Sequence, residues 1–372
     1  MNTLKKIDCY TAGLTIFAMF FGAGNIFLPL ALSQYALDKT PWALAGFLIT
    51  AVAIPIAGLL AMFRFGGHIR LFFSRLGKIP GFCIACLTIA LIGPFGAAPR
   101  CIALAHSTLS ASIPSIPLIL FSGIACLLIF FFTYRKNQLL KLIGYVLAPL
   151  KVTLLVWIII KGLMDVPDTL LVSSNPSGVS HFLYGIKEGY QTMDLLGAFF
   201  FAPIIISSLV RPGEKNLSRF VIKASAIGAF LLAAVYTGFC CLAYFHAPEL
   251  HGISSDRLLG VIAIKVLGPN AGLMVGLTVT LACLTTTIAL IAAFASFMQR
   301  EILQDKMRHM PILIASLLMT FAITTLEFQG IANLLNPILK VCYPVLILLT
   351  LYNLIRPLPL TEKIEDKEQL IK

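Results

Sequence analysis

Residues 17–25 read Phe17-Ala-Met-Phe-Phe-Gly-Ala-Gly-Asn25, and Pro29 follows within the same apolar stretch. Two glycines, an amide and a proline together lower the helix propensity of this stretch. A helix in a bilayer must satisfy its own backbone polar groups, so an interruption is tolerated mainly where it lines a cavity. The stretch therefore indicates a broken membrane helix, although close helix packing through Gly22 and Gly24 would explain the glycines equally well.

The chain of 372 residues is too apolar for a water-soluble globular protein. Its residues are 59% hydrophobic and 12% charged, against about 45–50% apolar and about 25% charged in an ordinary soluble domain. The apolar residues form blocks of about 20 or more, the length that crosses a bilayer as a helix. We predict an all-α integral membrane protein, residues 1–372 forming one transmembrane domain with about ten spans. The predicted spans are 10–32, 42–63, 81–106, 117–134, 139–161, 190–210, 220–246, 269–298, 310–326 and 331–355.

The segments between these spans are too short for a soluble domain. Residues 162–189 contain Asp, Pro and Gly and predict a loop that could include a short helix. Residues 247–268 predict a similar loop, with a surface helix near Leu258–Val266. Residues 356–372 form a charged tail.

The formal net charge of +12 is explained by membrane orientation. Lys and Arg collect in cytoplasmic loops of membrane proteins. With the N-terminus inside, the cytoplasmic segments hold 20 Lys and Arg residues and the outer segments hold five. This bias predicts both termini in the cytoplasm, and it removes the reason to expect a nucleic-acid partner.

A second interruption is predicted near the start of the sixth span. There Glu188-Gly-Tyr-Gln-Thr-Met-Asp194 precedes an apolar run that contains Pro203. Asp194 is the one carboxylate well inside a predicted span, and an ionisable group at membrane depth marks a functional site by default. Asp194 would instead be a boundary residue if the helix began after it, and the sequence leaves both interpretations open.

The two interruptions lie five spans apart, so two repeats of five spans would have opposite orientations. Broken first helices in inverted repeats are typical of secondary transporters. The repeats would cover residues 7–161 and 182–355. The N-terminal end of a half-helix offers free N–H groups and a positive dipole end to a carboxylate, and exposed carbonyls at a break can hold a cation.

Three successive hydroxyls, Thr285, Thr286 and Thr287, interrupt the apolar eighth span. Neutral oxygen ligands suit Na⁺ better than a transition metal. The hydroxyls could therefore hold Na⁺ together with carbonyls of the broken first span. Alternatively, they donate to carbonyls of their own helix and hold no ion.

Three basic residues fall within predicted spans. Arg100 could neutralise a substrate carboxylate or pair with an acid such as Asp194, and a structural or gating role is favoured. Lys151 and Lys340 could each replace a cation with their own ammonium, or extend toward the membrane surface. The sequence has no paired acids at membrane depth, metal cluster or phosphate-binding loop, so it predicts neither an enzyme nor an ATP-driven pump.

Four ordered motifs resemble the bacterial branched-chain amino acid:cation symporters, the LIVCS family (BrnQ type) of the amino acid–polyamine–cation superfamily. They are the stretch from Phe17 to Pro29, Ile92–Arg100, Glu188–Asp194 and Leu281–Thr287. The resemblance runs from about residue 7 to 355. It implies a leucine-transporter-type fold of five plus five inverted helices with broken helices 1 and 6. It also implies import of leucine, isoleucine and valine with Na⁺ or H⁺ across the bacterial inner membrane, without a cofactor.

The resemblance further implies the binding residues. The amino acid would lie between the two breaks, and the Na⁺ between the first break and the eighth span. Separately from the resemblance, the residues themselves predict a gating or charge-pair role for Arg100 and Asp194. The implied substrate-binding residues are Ala23, Gly24, Asn25, Tyr190, Gln191, Thr192 and Met193, and the implied Na⁺ ligands are Ala18, Phe21, Thr285, Thr286 and Thr287.

The chain departs from the family in length, because members usually carry twelve spans and this sequence has room for ten. Both predicted repeats lie within the ten, so the departure bears on peripheral contacts and oligomerisation. Two alternatives stay open at this point. The chain could be a symporter for another neutral amino acid, or an ion channel.

Overall fold

The computed structural model describes residues 8–22, 24–134, 152–165, 177–209, 217–250 and 252–356. Within these ranges the chain is helical and has no strand. The helices are α1 (Cys9–Phe20), α2 (Gly24–Ala36), α3 (Thr40–Leu48), α4 (Ile54–Arg64), α5 (Ile69–Phe73), α6 (Lys78–Ile92), α7 (Ala97–Ser110), α8 (Leu118–Tyr134), α9 (Val152–Met164), α10 (Gly178–Tyr190), α11 (Asp194–Leu209), α12 (Leu217–Phe245), α13 (Leu258–Leu267), α14 (Pro269–Phe297), α15 (His309–Thr324) and α16 (Glu327–Ile355).

Several predicted spans are built from two helices. The first span is α1 followed by α2, the third is α6 followed by α7, and the sixth is α10 followed by α11. The second continues from α3 into α4 through a π-helical turn at Ile49–Ala53. Spans seven, eight and ten are single helices, α12, α14 and α16, of 29 residues each. The predicted breaks in the first and sixth spans are thus present, and Lys151 lies outside the described residues.

Within the described residues, five helical stretches are long and apolar enough to cross a membrane. A stretch of this kind needs about 20 predominantly apolar residues, and shorter apolar helices precede or separate the five. The stretches are Gly24–Arg64, Lys78–Ser110, Ser218–Phe245, Gly272–Ile302 and Glu327–Ile355.

The segment just before the second break is more helical than the loop with a short helix predicted there. Helix α10 has 13 residues and begins after Ser177, whose side chain accepts a hydrogen bond from the amide of Ser180. It packs closely on α3, because a Cβ on Gly185 would overlap the carbonyl oxygen of Ala43 and one on Gly46 would overlap a backbone carbonyl of α10. Small residues allow such close backbone approach between membrane helices, so α10 is fixed along α3.

The described helices pack in two groups. In the first group, made from spans one, two, six and seven, α1 and α2 pack against α12, α3 against α10, and α4 against α11. In the second group, made from spans three, four, eight and nine, α7 packs against α14 and α8 against α15. Helix α16 contacts both groups through α4 and α7. The surface helix predicted near Leu258–Val266 is confirmed as α13, which packs on α14 and α2.

One end of the bundle is held together by polar contacts from the loop that contains α5. Arg70 forms an ion pair with Glu301 and donates to the carbonyl oxygen of Glu301. Asn353 Nδ2 donates to the carbonyl oxygen of Phe72 at 3.0 Å, and the Arg75 guanidinium lies 5.8 Å from the ring centroid of Tyr352. We call this end the tied face. It is the face from which α1 enters the bundle.

Candidate functional site

The first break follows the last turn of α1. The amide of Phe21 completes that turn by donating to the carbonyl oxygen of Phe17 at 2.8 Å. The amide of Gly22 instead donates to the carbonyl oxygen of Phe20, also at 2.8 Å. In a continuous helix Gly22 would bond to Ala18, four residues earlier, so the break takes this donor away from the Ala18 carbonyl. Ala23 lies outside the described residues.

The second break comprises Gln191, Thr192 and Met193. Met193 has a left-handed backbone conformation with a φ of 57°, which costs about 1–3 kcal/mol in a non-glycine residue. The Thr192 hydroxyl holds the turn, because it donates to the carbonyl oxygen of Gly189 at 2.9 Å and accepts from the amide of Asp194 at 3.3 Å. The turn is therefore stabilised by its own side chain.

The two breaks meet in the interior. A Cβ placed on Gly24, the first residue of α2, would lie 3.8 Å from the carbonyl oxygen of Thr192. Asn25 Nδ2 donates to the carbonyl oxygen of Phe20 at 2.6 Å and to the two carboxylate oxygens of Asp194 at 3.1 and 2.9 Å. The Tyr236 hydroxyl of α12 donates to the same carboxylate at 3.3 Å. Asp194 is thus a buried group that joins the breaks, although it is also the first residue of α11.

The third span is interrupted too, at Gly93–Gly96. A Cβ on Gly96 would overlap the carbonyl oxygen of Leu91, so the turn depends on a glycine there. Helix α7 begins directly afterwards and carries Arg100, which is 6% exposed.

The Arg100 guanidinium lies between two aromatic rings. Its distances to the ring centroids of Phe27 and Phe328 are 5.1 and 5.2 Å, within the range of a cation–π interaction. Nη1 donates to the carbonyl oxygen of Gln191 at 2.8 Å and lies 3.4 Å from Gln191 Oε1. Among the described residues, no carboxylate oxygen lies within 4.0 Å of Arg100 and its Nε has no hydrogen-bond partner. The predicted direct pair with Asp194 is therefore not formed in this conformation.

Two cavities meet at Arg100. A cavity of about 660 Å³ has Gln34, Ser254 and Glu327 at its mouth, in or beside the loops opposite the tied face. A cavity of about 30 Å³ lies deeper, between Gly24 and residues 191–193. Phe27, Arg100 and Gln191 line both cavities, so they form a floor between them. A water needs about 10–15 Å³, and the deeper cavity has room for about two.

Four of the predicted substrate-binding residues lie together, because Gly24, Gln191, Thr192 and Met193 line the deeper cavity. Asn25 is adjacent, with its side chain directed to Asp194. The Tyr190 ring stacks on Tyr343 with a centroid distance of 4.7 Å.

The predicted Na⁺ ligands of the eighth span all donate within their own helix in this conformation. Thr285 and Thr286 both donate to the carbonyl oxygen of Ala282 at 2.9 Å, and Thr287 donates to that of Cys283 at 2.8 Å. Helix α14 packs mainly on α7 and α13, whereas α1 packs mainly on α12. The hydroxyls therefore adopt the intrahelical bonding that was the alternative interpretation, which leaves their lone pairs available as acceptors.

The sequence did not identify three side chains of the cavity wall. Phe27 and Phe328 hold Arg100, and Glu188 lines the large cavity next to Tyr184, within electrostatic range of Arg100 and Lys340. Glu188 stands inside the Glu188–Asp194 motif, which was a signal for its role. The sequence predicts a loop over residues 162–189, which include Glu188, whereas the structure makes α10 half of the sixth span.

Solved structures show which fold class this is. The chain is similar to Mhp1, a nucleobase-cation-symport-1 family transporter, in a closed conformation (TM-score 0.62, 14% identity, 92% of this chain and 77% of that one). It is also similar to a manganese transporter of Eremococcus coleocola (TM-score 0.64, 13% identity, 91% and 77%). The predicted leucine-transporter-type fold is confirmed, and the protein is a multi-pass membrane protein of this class.

The sequence comparisons then give the family. A family model described as "Branched-chain amino acid transport protein" matches residues 5–371, and the chain belongs to that family. It is 30% identical to the branched-chain amino acid permease BrnQ of Bacillus subtilis (strain 168), over 90% of this chain and 78% of the relative. It is 28% identical to the branched-chain amino acid transport system 2 carrier protein of Pseudomonas aeruginosa, over 95% of this chain and 82% of the relative. The resemblance inferred from the four motifs is confirmed.

Proposed function

We propose that the protein imports leucine, isoleucine and valine together with Na⁺ or H⁺ by alternating access. The observation that carries this proposal is the large cavity, which leads from one face to the point where two helix breaks meet. Transporters of this architecture bind substrate and ion at such breaks near the bilayer midplane. The names of the relatives supply the substrate class.

The orientation of the large cavity in the membrane follows from the charge bias. The tied face carries Arg70 and Arg75 and belongs to the Lys- and Arg-rich side, which the positive-inside rule places in the cytoplasm. The large cavity then opens outward, and both termini are cytoplasmic in a bacterial inner membrane. Import requires the floor to open and the contacts of the tied face to separate.

The deeper cavity has to widen before it accepts a branched side chain, since it holds about two waters in this conformation. The predicted wall residues Gly24, Thr192 and Met193 would then surround the amino acid, with Asn25, Tyr190 and Gln191 at its edges. A missing methylene changes binding by only about 1–3 kcal/mol. Leucine, isoleucine and valine should therefore compete for the same site.

For Na⁺, the ligands we propose are the carbonyls of Ala18 and Phe21 with the hydroxyls of Thr285, Thr286 or Thr287. The Gly22 amide does not bond to the carbonyl of Ala18, which supports that carbonyl as a Na⁺ ligand. For H⁺, Asp194 is the buried carboxylate at the breaks that could carry the proton. Ion and substrate would strengthen each other's binding by about 5–150-fold if their coupling is typical.

Uptake of labelled leucine by proteoliposomes tests this function. We expect accumulation driven by an inward Na⁺ or H⁺ gradient and competition by isoleucine and valine. Alanine, serine and glutamate should compete poorly. Uptake that ignores both gradients would exclude symport, and stronger competition by alanine or serine would point to another neutral amino acid.

A further inference from the structure

Arg100 is a buried cation that has no bound anion among the described residues. The residue is 6% exposed, its Nε lacks a partner, and its nearest acceptors are the neutral oxygens of Gln191. A charge buried without a counter-ion is costly to keep, and the cost is offset when an opposite charge with good hydrogen-bond geometry arrives. Because Arg100 forms part of the cavity floor, that opposite charge can come from a ligand.

Glu188 provides an opposite charge on the same cavity. It lies near the end of α10, while Arg100 lies on α7, and both side chains line the space above the floor. The two charges act on each other electrostatically, but no nitrogen of Arg100 is within 4.0 Å of a Glu188 oxygen. The cavity therefore presents a separated cation and anion, which is the complement of a zwitterion.

We propose that Arg100 binds the carboxylate and Glu188 binds the ammonium group of the transported amino acid. This inference rests on the proposed function. The rings of Phe27 and Phe328 and the carbonyl of Gln191 fix the guanidinium plane, and a fixed guanidinium can hold a carboxylate through two parallel N–H donors. In this assignment the guanidinium of Arg100 binds the carboxylate. The helix breaks alone had suggested that free N–H groups at the helix ends would bind it.

Two truncated ligands separate the two contacts. Leucinamide lacks the carboxylate, and 4-methylpentanoate lacks the ammonium group. Binding of leucine and both analogues to the purified full-length protein is measured by calorimetry for the native chain, Arg100→Gln and Glu188→Gln.

Losing one partner of a buried charge pair costs enough to weaken leucine binding by at least about 30-fold in each variant. Arg100→Gln should leave leucinamide binding within about threefold of its native value, because leucinamide makes no charged contact with Arg100. Glu188→Gln should likewise leave the binding of 4-methylpentanoate within about threefold of its native value.

Two other charged residues of the same cavity provide matched controls. Arg257→Gln and Glu327→Gln change the same charges at the mouth, and leucine should bind both as tightly as the native chain. Unfolding temperatures show whether each variant folds. If Arg100→Gln does not fold, Arg100→Lys keeps the charge but lacks the planar fork, and it should weaken leucine while sparing leucinamide.

A folded Arg100 variant that loses equal affinity for leucine and for leucinamide would show that the residue is purely structural. That result would overturn the assignment. Unchanged leucine binding in Glu188→Gln would overturn the ammonium contact. These failures differ from a failure of the proposed function, in which the native chain itself would neither bind nor accumulate leucine.

Discussion

The side-chain amide of Asn25 donates to both carboxylate oxygens of Asp194, although the two residues are 169 positions apart in the chain. Asn25 follows the first helix break and Asp194 follows the second. The contact therefore joins two points of the chain, one beside each of these breaks, where regular helical backbone bonding is lost. Both side chains are buried, at 0% and 7% exposure.

Substituting both residues of this contact should have a smaller effect than the sum of the effects of the two single substitutions. Asn25→Ala and Asp194→Asn should each lower leucine uptake and the unfolding temperature, and the double variant should lose little more than the worse single one. Residues in one hydrogen-bond network typically show coupling energies of about 0.5–3 kcal/mol. Thermal unfolding and uptake of all four proteins measure this. The pair Asn25→Ala with Ser122→Ala, in α8, should be additive, and full additivity in the first pair would show that the contact carries no coupling.

Gly185→Ala should destabilise the protein by about 1–3 kcal/mol, the usual range for overpacking. The new methyl group would overlap the carbonyl oxygen of Ala43, so α10 would have to move away from α3. Thermal unfolding of the purified protein measures the effect. Gly123→Ala, where the nearest atom would lie 3.9 Å away, is the control. A Gly185 variant as stable as this control would contradict the close packing.

Thr285→Ala combined with Thr286→Ala should raise the Na⁺ concentration for half-maximal uptake by about tenfold, equivalent to about 1.4 kcal/mol. Folding should be unaffected, since both hydroxyls donate only to a carbonyl of their own helix and alanine favours helix. Thr278→Ala, which removes a similar intrahelical bond to Met274, should leave the Na⁺ requirement unchanged. The same Na⁺ requirement in the double variant would remove these hydroxyls from the ion site.

Glu249 gives a pH-dependent contribution to stability. It lies in the loop before α13, where Lys265 and His246 bond to its carboxylate and lower its pKa from the ordinary value. A carboxyl group with a lowered folded pKa stabilises the fold above its unfolded pKa, about 4.3, and loses that contribution as pH falls through the folded pKa. The native chain should therefore have a slightly higher unfolding temperature than Glu249→Gln at pH 7, and the difference should shrink as pH falls through the lowered folded pKa. Because the carboxylate is partly exposed, the difference should be small, and a difference that does not depend on pH would contradict the charge interaction.

The breaks were predictable because Gly, Asn and Pro are conspicuous in an apolar span. Helix α10 was not predictable, because it lines a polar cavity on one side and packs through glycines on the other. Such a half-helix does not need large apolar side chains. The surroundings of Arg100 were also beyond the sequence. Phe27, Gln191 and Phe328 come from three distant elements, and only the folded chain places them around one guanidinium.

The division of the helices into two packing groups has a consequence for inhibition. Arg100 belongs to the group of α7 and α14, whereas Glu188 belongs to the group of α3 and α10. An amino acid that binds Arg100 and Glu188 at once would connect the two helix groups and favour closure of the cavity between them. A ligand shifts a conformational equilibrium only by binding one state better than the other. An analogue with a single charge would attach to one group and leave the cavity open. Such truncated molecules should be blockers that occupy the entrance without crossing the membrane.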